Sequence, residues 1–339
     1  MEYTVALIEG DGIGPEQTAA TKTVLAKLKE THGLALNLIE VKAGDRALKD
    51  TGEALSQENF NIIKKCDCCL KGPVGQSAYD VIIRLRTQLD LFANIRPAKH
   101  LPRVPCIASP ETDFVIVREN TEDLYVGLES ANEEKATATR IITRKASERI
   151  AKYAFELAKT RKKVVTAVHK SNVLKKTDGL FLHACRDVSK TYPDVQFYEM
   201  FVDTAAMNLI RSPQIFDIIV TTNMFGDILS DEAAQVVGGL GLAPSANVGD
   251  HFALFEPVHG AAPDIAGKNI ANPISLVLSA AMMLEWLGKT KNDTGTSEAS
   301  RVIQRAVEQC LRSGEVTPDL GGQLNTAQMG DAIAAGISK

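Results

Sequence analysis

The sequence predicts an α/β protein built on a mostly parallel sheet with helices on both faces. Three observations predict it. Short β-branched apolar runs alternate with amphipathic helical stretches along most of the chain. Several of those runs end in a chemically useful side chain, and 339 residues suffice for one large or two medium domains of this class.

Residues 4–8 read as a strand that runs into Glu9-Gly10-Asp11-Gly12-Ile13-Gly14-Pro15-Glu16. Glycines at alternate positions give a tight turn and let another backbone or a ligand come close. The spacing is G-x-G-x-G followed by Pro, so it lacks the G-x-G-x-x-G of a dinucleotide fingerprint. An amphipathic helix over 16–29, a strand over 35–41, a helix near 57–65 and a strand over 68–70 follow, and then the loop 71–77. Residues 80–89 read as a helix, 91–97 as a strand ending in arginine, and 113–120 as another strand with an arginine at its end.

Strand character over 123–129 and 136–143 surrounds a polar turn at 131–135. Such a two-stranded ribbon is marginal alone, so a second subunit is expected to complete it. A helix over 147–159 precedes a strand over 163–168 that delivers His169-Lys170-Ser171-Asn172-Val173. A helix over 179–189 and a strand near 195–198 lead to Asp203 in a short apolar run. Residues 216–222 form a buried strand, and the helix opening at Asn223 stops at Gly238-Gly239. The Gly-, Ala- and Pro-rich stretch 255–273 is too long for a mere connector, so it is expected to bind something. Asn272 caps and Pro273 starts an apolar helix to Trp286 that Gly288 ends, and helices over 297–312 and 326–336 close the chain.

A net charge of -4 argues against a nucleic-acid partner, which would call for a basic face. No apolar run approaches membrane-spanning length, and the N-terminus enters a strand with no basic leader, so a cytoplasmic protein is expected. The six cysteines are scattered, and Cys66-Asp67-Cys68-Cys69 lacks the second half of a zinc site; reduced, buried thiols are expected.

Asp227 and Asp231 lie four apart, so their carboxylates share one face at the start of a helix. Taken alone, such aspartates are more often caps or dipole partners than ligands. Two oxygen donors on a rigid element nevertheless suit a hard cation such as Mg²⁺ or Mn²⁺. Arg86, Arg96 and Arg118 offer planar forks for carboxylates, which points to a small acidic substrate. Lys170, at a strand end, becomes a candidate general base if it faces such a pocket.

Across nearly the whole chain, from Ile8-Glu9-Gly10-Asp11-Gly12-Ile13-Gly14-Pro15-Glu16 to Thr317-Pro318-Asp319-Leu320-Gly321-Gly322, the sequence resembles the β-decarboxylating dehydrogenases, the family of isopropylmalate, isocitrate, homoisocitrate and tartrate dehydrogenases. The resemblance is carried by 91–97, Val117-Arg118-Glu119-Asn120-Thr121-Glu122, His169-Lys170-Ser171-Asn172-Val173, 223–231 and 259–273. It implies a non-Rossmann fold with a mixed sheet: a large cofactor-binding domain from residues 1–98 and 246–339, and a smaller domain over 99–245 that forms the interface of a homodimer, or of a tetramer, with an interlocking ribbon. It implies that Asp227 and Asp231, with Asp203 of the other subunit, hold Mg²⁺ or Mn²⁺, and that Arg86, Arg96 and Arg118 bind the substrate carboxylates. Lys170 of the other subunit would be the base and Tyr125 the acid. The cofactor would be NAD, on His259, Gly260, Ala261, Ala262, Asp264, Ile265 and Asn272 with Asn172 nearby.

A carboxylate at Asp264 accepts a bond from a ribose 2′-hydroxyl and repels a 2′-phosphate, and NADP-using relatives carry Lys and Tyr at positions 264 and 265. Substrate choice turns on Ile82, Ile83 and Val173. An apolar lining suits an isopropyl group and penalises an unpaired third carboxylate, which favours 3-isopropylmalate. A homoisocitrate or broad-range isocitrate enzyme is the alternative, with Arg84 its means of serving a longer dicarboxylate. A non-catalytic subunit is disfavoured because Tyr125, Lys170 and the three aspartates are all in place, and a phosphoryl-transfer enzyme because no P-loop is present.

Overall fold

The computed structural model describes residues 2–77 and 79–338. In chain order the regular elements are β1 (Glu2–Ile8), α1 (Gly14–His32), β2 (Ala35–Glu40), α2 (Asp45–Thr51), α3 (Gln57–Lys65), β3 (Cys68–Lys71), α4 (Arg84–Gln88), β4 (Ala93–Lys99) and β5 (Asp113–Glu119). Then come β6 (Glu129–Ala131), β7 (Ala136–Ala138), α5 (Arg144–Lys159), β8 (Val164–His169), α6 (Thr177–Ser189), β9 (Gln196–Phe201), α7 (Val202–Arg211), β10 (Ile218–Thr221) and α8 (Asn223–Val236). The chain ends with β11 (Pro244–Val248), β12 (Ala253–Pro257), α9 (Ile274–Thr290), α10 (Thr294–Ser313) and α11 (Thr326–Ala335). Side-chain caps start several helices: Ser56 before α3, Thr143 before α5, Asp293 before α10, and an Asn325–Gln328 capping box before α11.

One ten-stranded sheet runs β2-β1-β3-β12-β11-β4-β5-β10-β8-β9. Pairing is parallel on both flanks, and antiparallel only where β12, β11, β4 and β5 meet in the middle. Alternation along each strand sends side chains to opposite faces. Val5 and Leu7 of β1, Ala93 and Ile95 of β4 and Val115 and Val117 of β5 all enter one large apolar cluster, with α1, α5, α6, α9, α10 and α11. On the opposite face the core is divided. Ala6, Ile8, Cys69 and Leu254 pack with α3 in one cluster, and Phe114, Ile116 and Ile219 with α7 and α8 in another.

Between those two clusters the alternation delivers polar side chains instead: Lys71 of β3, Glu256 of β12, Asn247 of β11, Asn94 and Arg96 of β4 and Arg118 of β5, all buried. The central strands thus carry an apolar core on one side and a polar groove on the other. No helix among the described residues is long and apolar enough to cross a membrane. All six cysteines are free, and all but Cys106 are buried.

Several elements differ from the sequence expectation. Arg96 stands within β4, which continues through Pro97 to Lys99 against β5. The expected helix over 80–89 is a π turn, Tyr79–Ile83, that hands over to the short α4. The ribbon shrinks to β6 paired with β7, every residue of it exposed; left-handed backbone at Asp123 and Gly127 breaks the expected run over 123–129 into a turn at Leu124–Val126. Gly288 does not end α9 but lies inside it, where a Cβ would come 2.2 Å from the Ser297 hydroxyl, so it serves the close packing of α9 on α10. The helix α2 and the hairpin of β11 and β12 have no counterpart in the expectation.

Candidate active site

The polar groove brings together the three arginines singled out in the sequence. Arg86 donates through Nε to Asn247 Oδ1 at 2.9 Å and faces Glu256 at 3.4 Å. Arg96 donates to Asn94 Oδ1 at 2.7 Å, to Ser230 Oγ at 2.7 Å and to Asp231 Oδ1 at 3.1 Å. Arg118 grips Asn223 Oδ1 through two nitrogens at 2.9 and 2.7 Å, and its third nitrogen is ion-paired with Asp227. Burial, and then the guanidinium groups of Arg96 and Arg86, push the Arg118 pKa down to about 9. Three cations so placed call for an anion between them.

Asp227 and Asp231 occupy one face of α8, as their spacing predicted, and both meet Arg96. Burial alone would raise the Asp227 pKa, but Arg118 and Arg96 outweigh it and hold the carboxylate below its ordinary range. At Asp231 burial wins over Arg96, and the pKa is raised. Tyr125 donates its hydroxyl to Asp227 and lies under the Arg118 guanidinium, 5.1 Å from ring centroid to Cζ. Burial and that hydrogen bond push the Tyr125 pKa up to about 12, so the phenol keeps its proton at neutral pH.

Lys170 and Asp203 are not part of this cluster. They form a separate pair, Lys170 Nζ to Asp203 Oδ1 at 2.5 Å, where β8 ends and α7 begins. Asn172 and Val173 are exposed on the loop that follows Lys170, Val173 at 65 %. Among the described residues, no three His, Cys, Asp or Glu side chains of one chain converge on a point where a metal ion could sit. The chain thus carries two separate clusters: arginines, Tyr125 and two aspartates in one, a lysine and one aspartate in the other. The first presents only hard oxygen donors, one turn apart and already next to cations, a set that fits Mg²⁺ or Mn²⁺ but leaves its coordination incomplete within one chain.

Ile82 and Ile83 are half-buried on the π turn, while Val81 and Leu85 take the core positions. Arg84 turns away from Arg86: its nitrogens bond Leu55 O and Gln57 Oε1, both at 2.5 Å, and its guanidinium lies over Phe60. It therefore does not serve the groove.

The glycine turn after β1 meets the loop 259–262. Ile13 N–H donates to Ala261 O at 2.9 Å, and a Cβ on Gly12 (φ 56°) would sit 1.9 Å from that oxygen. What these glycines admit is another stretch of backbone. Gln17 Nε2 lies 3.1 Å from His259 Nε2 and 2.7 Å from Asn272 O. His259 Nδ1 is 2.9 Å from Gly260 O, so Nδ1 carries the proton and Nε2 accepts from Gln17. Burial lowers the His259 pKa and keeps the ring neutral. Asn272 Oδ1 accepts from the Ile274 N–H at 2.9 Å, although α9 starts one residue later than expected, at Ile274 with Pro273 as its N-cap, and Gly260, Ala262 and Ile265 complete the loop. Asp264 is exposed, and among the described residues nothing bonds its carboxylate, so it caps no turn.

The sequence reading missed the scaffold beneath the arginines. Lys71 Nζ pairs with Glu256 Oε2 at 2.8 Å, Asn247 donates to Glu256 Oε1 at 2.8 Å, and Asn94 and Asn120 donate to Asn247 Oδ1 at 2.8 and 2.9 Å. Its signal was available as polar residues at alternate positions of otherwise apolar strands.

Residues 4–333 match the family model described as isocitrate/isopropylmalate dehydrogenase. The 3-isopropylmalate dehydrogenase of Sulfurisphaera tokodaii is 53 % identical over 96 % of this chain and 96 % of its own length. That of Methanothermobacter thermautotrophicus is 53 % identical over 97 % of each chain. The crystal structure of isocitrate dehydrogenase from Methylococcus capsulatus superimposes with a TM-score of 0.92 at 42 % identity, covering 99 % of this chain and 100 % of that one.

Proposed function

The chain belongs to the isocitrate/isopropylmalate dehydrogenase family, and on that premise we propose that it carries out the NAD- and divalent-metal-dependent oxidative decarboxylation of 3-isopropylmalate to 2-oxoisocaproate (4-methyl-2-oxopentanoate) in leucine biosynthesis. The observation that carries the substrate choice is the pair of half-buried isoleucines, Ile82 and Ile83, just before Arg86, with Arg84 engaged elsewhere. An isopropyl group gains about 0.8 kcal/mol per CH₂-sized piece it buries, whereas a third carboxylate there would lack a partner.

In this reading Arg86, Arg96 and Arg118 hold the two substrate carboxylates, and Arg96 and Arg118 exchange for them the aspartates that neutralise those two arginines in the free protein. Asp227 and Asp231, with Asp203 of a second copy, would hold a divalent cation that would supply Lewis acidity to the substrate, and bound NAD would supply the hydride acceptor. Lys170 of that second copy takes the hydroxyl proton. After the β-carboxylate leaves as CO₂, Tyr125, protonated at neutral pH, delivers a proton to the carbon it left. His259, Gly260, Ala261, Ala262, Asp264, Ile265 and Asn272 hold NAD, with Asn172 contributing nearby, and the free Asp264 carboxylate accepts from the ribose 2′-hydroxyl.

A homodimer, or a tetramer built on it, is supported by the apolar side chains Met207 and Ile210 of α7 and Met224 and Ile228 of α8, all exposed in the single chain. The division into 1–98 with 246–339 and 99–245 is supported by the split of the core on the groove face, since one cluster draws on residues 6–91 with 252 and 254, and the other on 98–237. Six free thiols suit a reducing cytoplasm.

The likeness to an isocitrate dehydrogenase keeps one rival in view. Parallel turnover of 3-isopropylmalate, isocitrate and homoisocitrate with NAD and NADP tests the reading; equal or greater kcat/KM on a tricarboxylate would overturn the substrate choice. Asp264→Lys is expected to raise the KM for NAD by about tenfold, the worth of one hydrogen bond to a charged group. An unchanged KM would place the cofactor elsewhere.

A further inference from the structure

We propose that Arg140 is a positioning residue that joins the two clusters of each chain, and so links the two active sites of a dimer; the inference rests on the shared-site reading above. Arg140 lies between β7 and α5, its side chain 13 % exposed. Its Nε donates to Asp123 Oδ1 at 2.5 Å and its Nη2 to Asp123 Oδ2 at 3.2 Å, and Nη1 is ion-paired with Asp178. Nη2 also donates to Thr222 Oγ1 at 2.9 Å, and the guanidinium lies 5.1 Å over the Phe225 ring. Both aspartates are fully buried.

Each aspartate passes the connection on to one end of the proposed chemistry. Asp123 accepts from Leu124 N–H at 2.9 Å, next to Tyr125, and from Met224 N–H at 3.1 Å, in the first turn of the helix that carries Asp227. Asp178 accepts from Lys170 N–H at 2.5 Å. Asp123 also holds φ 75° and ψ -146°, a conformation essentially reserved for glycine, which persists only where the surroundings over-determine it. Two of the three arginines that clamp substrate, Arg86 and Arg96, take their fixing from Asn247 and Asn94, outside this network, while Arg118 is held by Asn223, between Thr222 and Met224. Displacing Arg140 should therefore disturb proton transfer at both ends and leave substrate binding largely intact.

Mixed dimers separate the ends. A Tyr125→Phe chain paired with a Lys170→Met chain, isolated through two different tags, holds one intact site and should show about half the wild-type turnover. Arg140→Lys keeps the charge but not the fork. Placed in the Tyr125→Phe chain it disturbs only the Lys170 end of the live site, and placed in the Lys170→Met chain only the Tyr125 end. Each placement is expected to lower kcat by about tenfold or more, with the substrate KM changed by less than about threefold. Asp178→Asn, a gentler change for the fold, should lower kcat only in the Tyr125→Phe chain. Wild-type-like kcat in either Arg140→Lys placement, an equal rise in KM, or an equal effect of Asp178→Asn in both chains would overturn the inference. A mixed dimer that regains no activity even with Arg140 intact would instead sink the shared-site reading, and this inference with it.

Discussion

Lys170→Met should lower kcat by about 10²–10⁴-fold, the usual worth of a positioned general base, while the KM for the acid stays near its wild-type value. Methionine keeps the length and apolar stem of lysine and removes only the amine. The KM is spared because the proposed carboxylate clamps, Arg86, Arg96 and Arg118, lie in a cluster apart from Lys170 and have their own supports in Asn247, Asn94 and Asn223. The fold should be spared too, because the Asp203 carboxylate that Lys170 pairs with is exposed to solvent, which screens the attraction. Steady-state kinetics on the purified variant decide the matter, and an unaltered kcat would remove Lys170 from the chemistry.

Glu256→Ala is expected to destabilise the protein by about 3–5 kcal/mol, the cost of stranding buried charge. Glu256 is buried between Lys71 and Arg86, and without it two cations face each other with no anion. The same carboxylate predicts an acid limb. Burial alone would raise its pKa, but Lys71 and Arg86 hold it down to about 2 against an ordinary 4.5. A folded-state pKa below the unfolded one stabilises fully above the unfolded value, so this contribution is intact above about pH 4.5 and is lost as pH falls toward 2. Urea unfolding at neutral pH, repeated at acid pH, should show the variant less stable and less sensitive to acid across that window. Equal stability with an unchanged acid limb would show that the network is dispensable.

Much of the layered architecture was legible in the sequence because strand and helix periods differ and buried parallel strands are nearly uninterrupted apolar runs. The pairing of Asp227 with Asp231 was legible for the same reason, since helical spacing alone puts them on one face. Ala93-Asn94-Ile95-Arg96 and Ala246-Asn247-Val248 were harder. A polar residue at every second position ordinarily means a solvent face, and only the three-dimensional arrangement reveals that this face is a buried groove. The insertion of β11 and β12 between β3 and β4 joins residues far apart in sequence, which no local pattern encodes. The π turn before Arg86 shifts side-chain directions by an amount that regular helical spacing does not anticipate, and that shift settled which way Arg84 and Arg86 face. Asp123 looked like one polar residue among several, because its backbone strain has no signature in residue type.

The strand order also bears on biogenesis. β3 has its second neighbour in β12, and β4 one of its two in β11, so the middle of the sheet must wait for strands that are synthesised after all the others. At about 5–20 residues per second, Leu70 leaves the ribosome on the order of 10–40 s before Phe255, with which it pairs. Through that interval the nascent polypeptide presents raw sheet edges to the cell, so its yield in vivo should depend on chaperone supply more than the stability of the finished protein would suggest.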